Sequence, residues 1–169
     1  MVKEDSIISD VKIKFKGNFD LKLLYKKLRE WLKREGYSDP CEGGGEKKYS
    51  ERVKPEGKQL EILWGTKKGA EAGYFSQEID ISFFLNGLKE VEVDNDGKKL
   101  KLESCEIEMK FNSKLVRNAS KQWEEHSMMF KLYERFVVKY KIDEHKIQVY
   151  KDTNKLIDEV KSFFSLYRF

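Results

Sequence analysis

The chain has 169 residues, 38% of them charged, yet 34 basic against 30 acidic side chains leave a net charge of only +4. A surface dense in both signs argues against a dedicated DNA-binding protein, while Leu, Ile, Val and Phe, at 46 residues, exceed the roughly 20% below which charged chains stay disordered. The length suits one domain that buries roughly 70% of its unfolded surface without a metal or a disulfide.

Neither a leader segment nor an apolar run near ~18 residues occurs. Cys41 and Cys105 stand far apart without a CxxC pairing, so the expectation is a cytoplasmic protein with reduced thiols and no membrane span. Lys outnumbers Arg 28 to 6. Residues 1–36 carry +4, 37–110 carry −4 and 111–169 carry +4, so the basic ends either meet phosphate or pair with the acidic middle.

Val11, Ile13 and Phe15 alternate with Lys12, Lys14 and Lys16, which predicts a half-buried strand over Asp10 to Lys16 with a lysine outer face. Asp20 then stands at a helix N-cap, with Phe19 and Leu24 spaced as a hydrophobic staple. Leu21, Leu24, Tyr25, Leu28, Trp31 and Leu32 form one apolar stripe at helical spacing, and Gly36 supplies the residue that ends the helix. Ser38 to Glu46 reads as a loop. Its three glycines lead into a strand rather than through Gly-Lys-Ser/Thr into a helix, so a phosphate-binding loop is excluded.

Hairpins follow by matching buried faces. A loop over Pro55 to Lys58 sets Val53 opposite Leu60 and Tyr49 opposite Trp64. The next buried face is Ile79, Ile81, Phe83 and Leu85, and a three-residue loop ending at Leu88 pairs Phe83 with Val91 and Ile81 with Val93. Asp96-Gly97 then makes a type I′ turn that pairs Val93 with Leu100, Val91 with Leu102, Glu92 with Lys101 and Asp94 with Lys99. The apolar set shifts from Leu100 and Leu102 to Cys105, Ile107 and Met109, which predicts a bulge near Ser104 with Cys105 facing inward.

From Ser120 the period becomes helical. Trp123, Phe130, Tyr133, Val137 and Tyr140 form one stripe; Val149, Leu156, Val160, Phe163 and Tyr167 form another, out of phase with it. Asp143 is placed to cap the second of two C-terminal helices. The expected fold is α+β: an antiparallel meander sheet of about six strands, with one helix after strand 1 and two C-terminal helices, in the order of a helix-grip arrangement. Residues 1–169 form a single domain in this reading, with 1–118 as the strand, helix and meander and 119–169 as the helical pair.

Short motifs are weighed against this framework. Glu92 to Gly97 followed by Glu103 imitates a calcium loop, but its flanks read as strands and the hairpin explains each residue. His126 and His145 each follow two acidic residues, without the spacing of a metal motif. They read as solvated or capping side chains, and no metal, cofactor or catalytic residue is assigned.

Three functions remain open. The first is a non-catalytic protein-interaction or assembly module, with a protein partner or self-association at the C-terminal helices and at Phe164, Leu166 and Phe169, unless that aromatic end docks on its own sheet. The second is an RNA- or ribosome-associated factor contacting phosphate through Lys12, Lys14, Lys16, Lys22, Lys26 and Lys33. The third is a small apolar ligand binder or enzyme, with Trp64, Phe83 and Met109 lining a cavity between sheet and C-terminal helix.

Overall fold

The first strand is longer than its alternation indicates. In the computed structural model, which describes residues 2–69, 73–121 and 128–168, β1 spans Lys3–Phe19. Its regular part pairs Val11 to Phe19 with Phe111 to Glu103, while register shifts around Ile8 interrupt the earlier part. The helix α1 follows over Leu21–Arg34. Asp20 caps it by accepting from the Leu23 N–H at 2.9 Å, Glu103 accepts from the Leu21 N–H at 3.1 Å, and Gly36 ends it at φ +86°. Two of the open donors of the first turn are thereby satisfied by carboxylates, which also suit the positive end of the helix dipole.

Strands β2 (Glu46–Lys54), β3 (Gly57–Lys68), β4 (Phe75–Asn95) and β5 (Lys98–Arg117) complete one antiparallel sheet in the order β1-β5-β4-β3-β2. The first strand thus lies at one edge and the second at the other, and the chain crosses the inner face through α1. The C-terminal segment comprises α2 (Met128–Tyr133), a π-helical stretch over Glu134–Val138 and α3 (Lys139–Ser165).

Both long helices cover the same face. Leu24, Leu28 and Leu32 of α1 and Leu156, Val160 and Phe164 of α3 share one core with Phe15, Ile62, Phe83 and Met109 of the sheet. A large side chain buried this fully stabilises the fold by about 1.5–3 kcal/mol. Phe164 stacks on Phe15 at 4.7 Å and meets Phe19 edge-on at 5.3 Å. A smaller, separate cluster of Tyr74, Phe130 and Val138 lies under the start of the C-terminal segment.

The α+β class, the helix after the first strand and the antiparallel meander are as expected, and the Asp96-Gly97 hairpin has the expected register at all four pairs. Asp96 and Gly97 both have positive φ, 51° and 79°, as a type I′ turn requires.

Among the described residues, five strands replace the expected six. Ile79 to Leu85 and Val91 to Asp94 are not two arms of a hairpin but one 21-residue strand. Its first part pairs instead with the far end of β5, Ile81 with Phe111 and Phe83 with Met109. Asn86 and Gly87 lie at a bulge, where the register with β5 shifts between Asn86 and Lys89 and Gly87 takes φ +69°. The apolar shift near Ser104 has this cause: the extra residue lies in β4, not in β5, and β5 stays in regular register with β1 from Glu103 to Phe111. Cys105 does face the core.

The first hairpin is displaced by two residues. Tyr49 pairs with Ile62 and Glu51 with Leu60, around Pro55 and Glu56. A slip of two keeps every side chain on its own face, so face matching does not detect it. Val53 is 78% exposed, because β2 is an edge strand with no buried position.

The expected break at Asp143 does not occur, and α3 passes through it. Inward residues Tyr133 and Val138 are five apart, where an α-helix allows three or four. The π stretch absorbs the extra residue, since its turn is wider. Val138, rather than Val137 or Tyr140, is therefore buried.

Candidate functional site

The six lysines proposed for phosphate contact fall into two separate groups. Lys12, Lys14 and Lys16 point to the uncovered face of the sheet, opposite in parity to Ile13 and Phe15, whereas Lys22, Lys26 and Lys33 lie on α1, which packs on the other face. Glu108 takes ion pairs from Lys12 at 3.8 Å and Lys14 at 3.3 Å, and these cations hold its carboxyl below the usual range, chiefly through Lys14. Lys16 is in register with Glu106.

On α1, Lys33 approaches Asp39 at 2.6 Å. The same carboxylate accepts from Arg29 at 2.7 and 3.0 Å and from the Cys41 N–H at 2.9 Å. The Arg29 hydrogen bonds hold Asp39 well below the ordinary carboxylate range despite its burial, with Lys33 adding to the effect. Residues 38–45 are therefore more than a linker by composition. Asp39 fastens them to α1.

Of the aromatic end, Phe164 is only 2% exposed and sits in the core. It is closed to a partner, because docking on β1 is what consumes it. Leu166 is exposed, and Phe169 lies outside the described residues. The expected cavity lining is corrected as well: Phe83 and Met109, with no exposure, and Trp64, 1% exposed, are all packed in the continuous core, and Trp64 lies beneath a groove on the side of α1 away from α3.

The calcium-loop residues are splayed along the β4–β5 hairpin, with Asp94 opposite Lys99 and Glu92 opposite Lys101. Glu103 is engaged at α1 instead. Among the described residues no cluster of His, Cys, Asp or Glu is arranged to hold a metal. His126 lies outside them. His145 is not solvated as expected: it packs on Phe75 at 4.5 Å, its Nδ1 lies 3.0 Å from Gln77 Nε2, and burial lowers its pKa. Cys41 and Cys105 are both free, and burial, with Glu103 nearby, pushes the Cys105 thiol up to about 12.

What the sequence pattern missed is the surface of the segment from α2 into α3. Met128, Leu132, Phe136 and Tyr140 recur every four residues and are all exposed, Phe136 by 65% and Tyr140 by 79%. Residues four apart are neighbours on a helical surface, so they form one apolar row over three turns. Lys131, Arg135 and Lys139 form a second row at the same spacing, one residue earlier and so roughly 100° around the axis. None of these three cations has an ion-pair partner among the described residues, and together with Arg117, Glu134, Phe136 and Ile142 they border an open cleft of about 570 Å³, in which Glu134 is paired with Lys3 at 3.3 Å. Arg117 itself is engaged by Asp5 at 3.0 Å. The spacing of four was available in the sequence, but it stood hidden among the inward positions Phe130, Tyr133 and Val138.

No described helix is long and apolar enough to cross a membrane. Compared with known families and curated proteins, the chain matches no family model and no curated sequence.

Proposed function

We propose that the protein is a non-catalytic binding module that docks an acidic amphipathic helix of a partner protein along the α2–α3 segment. The observation that carries this reading is the pair of parallel rows, Met128-Leu132-Phe136-Tyr140 beside Lys131-Arg135-Lys139. An apolar seam flanked by uncompensated cations complements a helix with apolar anchors every three or four residues and carboxylates beside them. The segment is anchored by its own cluster of Tyr74, Phe130 and Val138, so it presents its rows without unfolding.

The test uses the full chain and a synthetic helical peptide with Leu at every third or fourth position and Glu between, against the same composition scrambled. Saturable binding of the patterned peptide, weakened about tenfold or more by the double variant Arg135→Glu, Lys139→Glu and restored by a Lys-for-Glu peptide, is expected from charge complementarity. Equal binding of the scrambled peptide overturns the reading. So does preferential binding to phosphatidylglycerol vesicles or to single-stranded RNA, or a concentration-dependent dimer in sedimentation that the Phe136→Glu variant abolishes.

A further inference from the structure

The exposed apolar row does not end at Tyr140. Ile147 and Tyr150, further along α3, are both more than half exposed and lie outside its buried stripe, which runs through Val149, Asp152, Thr153 and Leu156. Ile147 stands two helical turns beyond Tyr140 and so returns to the same side, and Tyr150 follows at the three-residue step of a heptad seam. The core makes no use of either side chain. From Met128 to Tyr150 the row measures about 33 Å along the axis at 1.5 Å per residue, roughly six turns.

Charge beside the row changes sign along the way. Lys131, Arg135 and Lys139 recur every four residues, and the next position of that row is Asp143, with Glu144 adjoining it. Neither carboxylate has an ion-pair partner among the described residues. Lys141 comes one residue after Tyr140 and so lies on the opposite flank, and Lys146 is taken by Asp5 at 3.6 Å. The flank therefore presents three cations and then an acidic step, immediately before Ile147. A helix acidic along its whole length would be attracted by the first part and repelled at the step.

We infer that the partner helix is roughly six turns long and reverses its charge: carboxylates facing Lys131, Arg135 and Lys139, then Lys or Arg facing Asp143 and Glu144, then an apolar anchor at Ile147 and Tyr150. This inference rests on the docking of an acidic amphipathic helix proposed above and narrows it. The charge order also sets a direction. A helix is stabilised by acids near its own N-terminus and bases near its C-terminus, so the favoured partner runs parallel to the segment, with its N-terminus beside Met128. A second copy of this chain fits less well. In parallel it sets cation against cation, and antiparallel about Val137 it still opposes Arg135 to Lys139.

The test uses the full-length protein and three synthetic peptides followed by fluorescence anisotropy. The first is a six-turn helix with Leu at heptad spacing, Glu on the flank and Lys at the fourth turn. The second has Glu at that turn, and the third is the acidic N-terminal half alone. The first is expected to bind about tenfold more tightly than either of the others. The double variant Asp143→Lys, Glu144→Lys should invert the order of the two long peptides and leave the short one as it was. Ile147→Ser should bring the first peptide toward the affinity of the short one. A spin label at the N-terminus of the first peptide should broaden the amide signals of residues 128–131 and spare those of 147–150.

The substituted positions are exposed, and urea unfolding of each variant checks that the fold is kept. If the short peptide binds and the first binds no better, or the two long peptides bind alike, or the double variant leaves their order unchanged, the charge-reversing partner is overturned while the docking reading stands. Broadening at 147–150 instead of 128–131 overturns the direction. If none of the three peptides binds, both fail together.

Discussion

The two ends of the C-terminal helical segment solve different problems. From Leu156 to Phe164 the segment lies in the main core, with Leu156, Val160 and Phe164 packed with the sheet and α1. From Met128 to Tyr140 it rests on three buried residues of a satellite cluster and leaves a full apolar row in solvent. One end is held by burial, and its side chains are spent on the fold. The other is held by fewer buried side chains and has surface left over, which is where a partner gains most by covering it.

That contrast is broken first by truncating the buried end. Phe164→Ala removes a ring from the Phe15–Phe19 stack and should cost about 3–5 kcal/mol in urea unfolding. A cost below about 1 kcal/mol would mean that the tail is not part of the core.

The second test lies at the midpoint of the segment. Asp152 is fully buried and accepts from Tyr37 at 2.9 Å and Gln148 at 2.7 Å, with Lys68 at 3.5 Å. Burial and the Asp152 charge raise the Tyr37 pKa, which keeps that hydroxyl a donor. Asp152→Ala leaves the Tyr37 hydroxyl with only a long 3.4 Å contact to Gln77 Oε1 and should cost about 2 kcal/mol. Lys68, a third exposed, returns to water and adds little.

A smaller effect is expected at Asp39, measured as unfolding free energy against pH. Its carboxyl is depressed in the folded chain, so its contribution is present above the unfolded carboxylate pKa, near ~4, and is lost as pH falls through the lower folded value. The wild-type and Asp39→Asn curves should separate at neutral pH and converge in acid. Parallel curves would show that Arg29 and Lys33 gain nothing from the charge.

The smallest effect is at the exposed end. Phe136→Ala should change stability by less than about 0.5 kcal/mol while abolishing peptide binding. A loss comparable to that of Phe164→Ala would erase the distinction between the two ends.

The candidate surfaces were legible only in part. Lys22 and Lys26 were visible as a helical lysine face, but Trp64 was assigned to a cavity beneath the C-terminal helix. Its place beside Tyr25 depends on how far α1 covers β3, which no local pattern records. Of the apolar row of α2 and α3, the inward stripe of the sequence takes in only Tyr140, which with Val137 fits an unbroken α-helical period; Met128, Leu132 and Phe136 stand outside it. The π stretch moved that face outward by one residue.

What the sequence alone determined is local. Asp20 caps α1 because its carboxylate reaches an N–H three residues on; the α1 stripe is buried because six apolar residues share one side; Asp96-Gly97 sets the hairpin register because both residues tolerate positive φ. The tertiary structure decided what depends on distant partners. Ile81 met Phe111 rather than Val93, the bulge fell in β4 rather than β5, and Phe164 rather than Leu166 entered the core. In each case several partners satisfied the same alternation, and only the assembled sheet, with its helices on one face, selected the set that left the least apolar surface in water.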